Sequence, residues 1–230
     1  MKIGNFNQED FNRFVLDNNV VGFFKEPIRL NSGRMSNWYV NWRNVAEDVF
    51  LIDQLTEYVA AFTRDLGLEP DCFYGVPEGA TKLGVLTQYK LAKESPNYAP
   101  KSHALPMGRG KPKDHGALKD KYFVGEPRGK TIILEDVTTT GGSLLAAIDS
   151  LTEAEIPIIS AFGLTNRMEL RDDGQSVQKA VELKNVPYHA LSSALQLVPE
   201  AYRRLNPGGQ IAKAIEEEFE QYGVEKIKLS

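Results

Sequence analysis

Apolar residues recur along this chain with two different periods. Across residues 45–66, Val49, Ile52, Leu55, Val59 and Phe62 return at three- and four-residue steps, which predicts one long amphipathic helix. Residues 8–16 repeat the pattern on a smaller scale, with Phe11, Phe14 and Val15 on one side. Other stretches are short, unbroken apolar runs at 72–76, 131–134 and 156–164, which predict strands buried on both faces. The turn Pro77-Glu-Gly-Ala80 leads into a helix towards Leu91, residues 144–151 form another, and the Glu-rich run 211–222 reads as a solvated C-terminal helix. Short apolar strands alternating with helices predict an α/β fold: a central, mostly parallel sheet flanked by helices. Loops at the carboxyl ends of such strands line one common cleft. Residues 77–80 and 135–143 both stand at such ends.

Length and charge narrow the class. A chain of 230 residues can bury a full core, and residues 1–230 read as a single domain. A net charge of −4 argues against a general nucleic-acid binder. No apolar run reaches the roughly 18 residues of a membrane helix, and the first ten residues hold no apolar signal core. Cys72 is the sole cysteine, which excludes an intrachain disulfide and a zinc-cysteine cluster. These features predict a cytoplasmic protein without membrane or nucleic-acid partners. His103 and His189 have no ligand partner at a metal-binding spacing and read as structural or surface residues.

The densest chemistry lies in Thr131-Ile-Ile-Leu-Glu-Asp-Val-Thr-Thr-Thr-Gly-Gly-Ser143. A strand leads into two acids, then into a hydroxyl- and glycine-rich loop, then into a helix. Glycines let the backbone approach an anion, and a helix N-terminus offers free N–H groups with positive dipole. The acids would repel a phosphate and suit sugar hydroxyls or a metal instead. That order describes a pocket for a sugar phosphate; the alternative is a strand–turn–helix with a solvated acidic turn. Neither the G-x-x-x-x-G-K-[ST] nor the G-x-G-x-x-G phosphate loop occurs.

The run resembles the phosphoribosyl-diphosphate signature of type I phosphoribosyltransferases. By that resemblance Glu135 and Asp136 hold the ribose hydroxyls, while Val137, Thr138, Thr139, Thr140, Gly141, Gly142 and Ser143 hold the 5′-phosphate.

Residues 101–123 interrupt the α/β rhythm. Six basic residues, Lys101, Arg109, Lys111, Lys113, Lys119 and Lys121, face only Asp114 and Asp120, and Pro106, Gly108, Gly110, Pro112 and Gly116 exclude a continuous helix. Within it, Met107-Gly-Arg-Gly-Lys-Pro-Lys-Asp-His-Gly116 resembles the flexible catalytic loop of the orotate phosphoribosyltransferase family, which ends in Lys-Asp-His-Gly. The resemblance makes Arg109, Lys113 and His115 catalytic together with Asp136, and adds Lys111 to the contacts with diphosphate. It implies that the loop closes over the site of a neighbouring subunit in a homodimer. It also brings Mg²⁺, carried mainly by phosphoribosyl diphosphate. Gly110 stands where the family has a lysine.

Ile28-Arg-Leu-Asn-Ser-Gly-Arg-Met-Ser-Asn-Trp-Tyr-Val-Asn-Trp-Arg43 resembles the family segment that covers the base, so residues 1–45 are expected to form a small N-terminal hood over the base site. Leu30, Ser32, Gly33, Ser36 and Tyr39 fit the pattern, whereas Asn31 and Asn37 replace its lysine and proline. On composition alone, Trp38, Tyr39 and Trp42 read as core aromatics. The resemblance places orotate against Tyr39, Val40, Thr139 and Arg167, the last as a fork for the carboxylate. The other reading of Arg167 is a surface salt bridge with Glu169 or Asp172. Glu78 and Gly79 occupy the diphosphate loop, where many relatives carry a lysine at position 78; the contact falls to their backbone N–H groups. Transfer to orotate is the expected activity. The alternatives are transfer to another base and a non-catalytic regulator that senses phosphoribosyl diphosphate.

Overall fold

The computed structural model describes residues 3–115 and 118–229. Gly116, the end of the Lys-Asp-His-Gly run, lies outside the described residues, as does the side chain of Lys119. The chain opens with helix α1 (Gln8–Asp17), capped by Asn7, whose side-chain oxygen accepts the Asp10 N–H at 2.9 Å. An antiparallel hairpin follows, β1 (Val21–Arg29) with β2 (Met35–Val40). Next come α2 (Arg43–Ala46), α3 (Val49–Asp65), β3 (Cys72–Gly75) and α4 (Thr81–Glu94). An excursion holds β4 (Met107–Gly108), α5 (Leu118–Tyr122) and β5 (Phe123–Val124). The second half runs β6 (Thr131–Thr138), α6 (Gly142–Glu153), β7 (Ile158–Asn166), α7 (Val177–Glu182), β8 (Tyr188–Ser193), α8 (Ala194–Leu205) and α9 (Gly209–Tyr222).

The central sheet has the order β3-β6-β7-β8, with every pair parallel. Strand alternation divides its side chains between two cores. Ile132, Leu134, Phe162 and Leu164 join the layer that contains Phe11, Val59 and Leu197, from α1, α3 and α8. Ile133 and Ala161 face Leu144, Ile148 and Val181, from α6 and α7. Both faces are therefore covered, as the unbroken apolar runs predict. On one side α4 lies almost on β3, because a β-carbon at Gly84 would strike the Gly75 backbone. No helix among the described residues is long and apolar enough to cross a membrane.

The structure departs from the sequence reading in four places. The predicted helix over 45–66 is broken before Val49: Asp48 is extended (φ −106°, ψ 127°) and its carboxylate accepts the Leu51 N–H at 2.9 Å. A capping acid thus ends one turn and starts another. Strand β6 continues to Thr138 because β7 pairs with it up to Thr138↔Asn166, so the two acids belong to the strand. Strand β8 and helix α8 escape the pattern. The buried Ser192 of β8 bonds inside the fold, its Oγ lying 3.0 Å from Thr165 Oγ1. Finally, α9 is not solvated all round: Ile211, Ile215, Glu218 and Phe219 are buried. Its Phe219 ring stacks on Trp38 of the hairpin at 6.0 Å.

Candidate active site

At the carboxyl end of β6 the chain passes through Thr139, Thr140 and Gly141 into α6. Gly141 caps that helix in the left-handed region (φ +71°), and a β-carbon there would lie 2.9 Å from Val177. Glycine is what this turn demands. Thr139, Thr140, Gly141, Gly142 and Ser143 line a cavity of about 830 Å³, so the unpaired N–H groups opening α6 stand at its wall. Arg171 Nη1 donates to the Thr140 carbonyl and pins the loop from outside.

Glu135, Asp136 and Val137 line the same cavity. Glu135 is buried, and that burial, with Asp136 beside it, holds its carboxyl well above the usual carboxylate range. Asp136 is half-buried, and its Oδ1 accepts the Val137 N–H at 2.8 Å. Across from it, Gly79 has no room for a side chain: a β-carbon would overlap the Asp136 carboxylate. Glu78 and Pro77 extend that wall. Thr138 does not belong with the phosphate loop. Alternation along β6 turns it inward, where its hydroxyl lies 2.6 Å from that of Tyr188.

The hairpin β1–β2 forms the opposite wall through Phe24, Ile28, Leu30, Tyr39 and Val40. The Tyr39 ring tilts against Phe24 at 4.7 Å. Trp38 is fully buried, and Trp42, though it reaches the cavity edge, is held by Nε1 donating to Thr165 Oγ1 at 3.2 Å. Two cations absent from the sequence reading, Arg29 and Arg43, also line the wall. Among the described residues neither side chain has an ion pair. Arg29, two positions before Asn31 on the hairpin, is the signal that could have been used.

Arg167 borders the cavity, but its guanidinium is largely committed. It lies flat over Trp38, 3.7 Å from the ring centroid. Nε donates to Glu169 Oε1 at 2.7 Å, and Nη2 donates to Glu218 Oε1 at 2.8 Å and Ser36 Oγ at 3.1 Å. Nη1 reaches the Trp38 carbonyl at 3.4 Å. The alternative reading of a surface salt bridge is corrected in one respect, since Arg167 is only 2% exposed and its acids are buried with it. The Asp172 of that reading pairs instead with Arg34, at 2.9 Å. The Nη2 edge of the fork expected to meet a carboxylate is occupied by Glu218 and Ser36.

The root of the basic loop abuts the cavity wall at Pro77 and Glu78, but its basic side chains do not line the cavity. Arg109, Lys111, Lys113 and His115 are not on the cavity wall formed by their own chain. Arg109 Nε donates to the Asp120 carbonyl at 3.1 Å, and the Lys113 N–H to the Lys121 carbonyl at 3.0 Å, so the loop folds back as a hairpin on the root β4–β5. Among the described residues no three His, Cys, Asp or Glu side chains converge as a metal site.

No family model matches the chain. The orotate phosphoribosyltransferase of Bradyrhizobium diazoefficiens is 33% identical over 154 residues, which cover 64% of this chain and 77% of that protein. That of Methylococcus capsulatus is 27% identical over 218 residues, covering 94% and 97%. The crystal structure of orotate phosphoribosyltransferase from Francisella tularensis superimposes with a TM-score of 0.65 at 20% identity, over 93% of this chain and 99% of that one, and so shares the fold. With the sheet, the acid pair on β6 and the glycine loop into α6 in the same order, the chain belongs to the orotate phosphoribosyltransferase family.

Proposed function

We propose that this enzyme transfers the phosphoribosyl group of phosphoribosyl diphosphate to orotate, giving orotidine 5′-monophosphate and diphosphate in pyrimidine biosynthesis. One observation carries the reading: a single cavity gathers the loop into α6, the acids of β6, the Gly79 turn and the hairpin wall of Tyr39 and Val40. Its lining offers backbone N–H groups for a phosphate at the loop into α6 and for a diphosphate at the Gly79 turn. The 5′-phosphate sits on the N–H groups of Thr139–Ser143 and the ribose on Glu135 and Asp136. Diphosphate lies towards the N–H groups of Glu78 and Gly79, and the base against Tyr39, Val40, Thr139 and Arg167.

In the reaction the bond from C1′ to the diphosphate oxygen breaks with its electrons leaving on diphosphate, and a ring nitrogen of orotate bonds to C1′ as its N–H proton passes to diphosphate or solvent. Groups that meet that charge as it develops lower the barrier. Arg109, Lys111, Lys113 and His115 are suited to it, and because these side chains do not line the cavity of their own chain, we place them over the cavity of a second copy in a homodimer. The acids present fit Mg²⁺ as a passenger of the donor, with Asp136 the accessible carboxylate; when bound, Mg²⁺ neutralises charge on the leaving diphosphate. We place the enzyme in the cytoplasm.

Transfer to a base without a carboxylate is the second reading, favoured by the occupied Nη2 edge of Arg167. Diphosphate release with orotate, uracil, adenine and hypoxanthine separates the two. Turnover of orotate above the other bases is expected; silence on orotate with turnover of another base overturns the assignment.

A further inference from the structure

Arg34, Glu169, Arg167 and Glu218 form a continuous chain of buried charges. Arg34 Nη1 donates to Glu169 Oε2 at 3.0 Å, the other Glu169 oxygen takes Arg167 Nε, and Arg167 Nη2 continues to Glu218. Ser36 Oγ closes the end, accepting from Arg167 and sharing its one hydrogen between Glu218 Oε2 at 2.9 Å and the Trp38 carbonyl at 2.8 Å. Three parts of the chain meet in this row: the hairpin, the segment after β7, and helix α9. All four charged side chains are at most 9% exposed. Buried charges hold a single geometry only when every partner is present.

Counting donors shows what this does to the cavity. The guanidinium has five N–H bonds. Nε is taken by Glu169, both of Nη2 by Glu218 and Ser36, and one of Nη1 by the Trp38 carbonyl. A single Nη1 hydrogen is left to a ligand. Trp38 below the ring plane and Glu218 at the far edge prevent the guanidinium from turning its Nη2 edge outward.

We infer that Glu218 of the C-terminal helix is a positioning residue for the acceptor base: it fixes Arg167 so that one Nη1 edge, and not the two-toothed fork, meets the base. The inference deepens the activity proposed above and rests on it. It makes α9 part of the base site although the helix does not line the cavity.

The test compares Glu218→Ala, Glu218→Gln and Ser36→Ala with the wild type by steady-state kinetics in both substrates, with Mg²⁺. Glu218→Ala should raise KM for orotate about 10-fold and leave KM for phosphoribosyl diphosphate within about 2-fold. Glu218→Gln, whose amide oxygen still accepts from Arg167, should restore orotate KM to near the wild-type value. Ser36→Ala removes one of the two Nη2 partners at little packing cost, so it should shift orotate KM in the same direction by a smaller factor. It decides the matter if Glu218→Ala fails to fold. Equal changes in both KM values, or an unchanged orotate KM in all variants, overturn the inference. A wild type silent on orotate but active on another base defeats the orotate assignment alone, and the same KM split is then read on that base. A wild type inert on every base overturns both.

Discussion

A β-carbon placed on Gly110 would lie 2.8 Å from Oε1 of Glu78. The root of the basic loop and the turn expected to hold diphosphate are therefore in contact within one chain. Two positions where the family carries lysines are neighbours here, one an acid and the other a glycine. Glu78 is exposed on the cavity wall, where a diphosphate bound as proposed above would meet its charge. Glu78→Gln should lower KM for phosphoribosyl diphosphate roughly 2- to 5-fold at low Mg²⁺, with less effect at saturating Mg²⁺. Initial rates across a Mg²⁺ series check this, and a raised KM would show that the carboxylate assists binding.

Gly79 lies against Asp136, the carboxylate proposed above to hold the ribose. Any side chain there displaces the Asp136 carboxylate, yet Gly79 itself is exposed and contributes little to the core. Gly79→Ala should lose about 100-fold or more in kcat/KM while its melting temperature stays close to that of the wild type. A paired thermal melt and progress curve distinguish this from simple unfolding.

Arg29 and Arg43 are cations of the cavity wall without an ion pair among the described residues. Arg29→Ala should raise KM for phosphoribosyl diphosphate about 10-fold, because an anionic donor loses a charge-assisted partner. Asn31→Lys in that background should recover part of the loss, since the new cation stands on the same hairpin turn. Titration of Mg²⁺-diphosphate by calorimetry gives the same answer without turnover.

Two buried carboxyls set the pH dependence of stability. Burial pushes Glu218 up to about 7 against the pull of Arg167, with Glu169 adding to the rise. Glu135 is likewise raised by burial and by Asp136. Each keeps its proton in the folded state at a pH where the unfolded chain has lost it. Stability is thus full below the ordinary carboxylate pKa and declines as pH rises through it towards the raised folded-state value. For Glu218 the decline is on the order of 3 kcal/mol. Melting temperatures from pH 5 to 8 should fall for the wild type and flatten in Glu218→Gln. At pH 8 Glu135→Gln should melt higher than the wild type and keep more activity than Asp136→Asn.

If the basic loop serves a second copy, inactive Lys113→Ala and Asp136→Asn chains should complement. Each mixed dimer would hold one intact site, which returns roughly a quarter of the wild-type rate at equal mixing. Persistent inactivity after demonstrated subunit exchange would assign the loop to its own chain.

The central sheet was legible because β3, β6 and β7 are buried on both faces and show as apolar runs. Strand β8 was not, because Ser192 satisfies its hydroxyl on Leu164 and Thr165 inside the fold, which a hydropathy pattern reads as solvent. The loop into α6 was legible as part of a cavity wall for a local reason: its glycines and hydroxyls are contiguous. Thr138 went astray within that same run, since one residue of strand alternation turns a side chain from the cavity to the core.

By itself the sequence determined the α/β alternation, the acid pair before the glycine loop, and the family resemblance. All of these rest on neighbours in the chain, whose spacing reports helix, strand or turn directly. Only the tertiary structure decided what Arg167 does. Its partner Glu218 is 51 residues away and Arg34, at the other end of the row, stands 135 residues before Glu169. Which carboxylate captures a buried guanidinium depends on how the sheet, the hairpin and the last helix pack together. Desolvation makes that choice strong, and no local pattern encodes it.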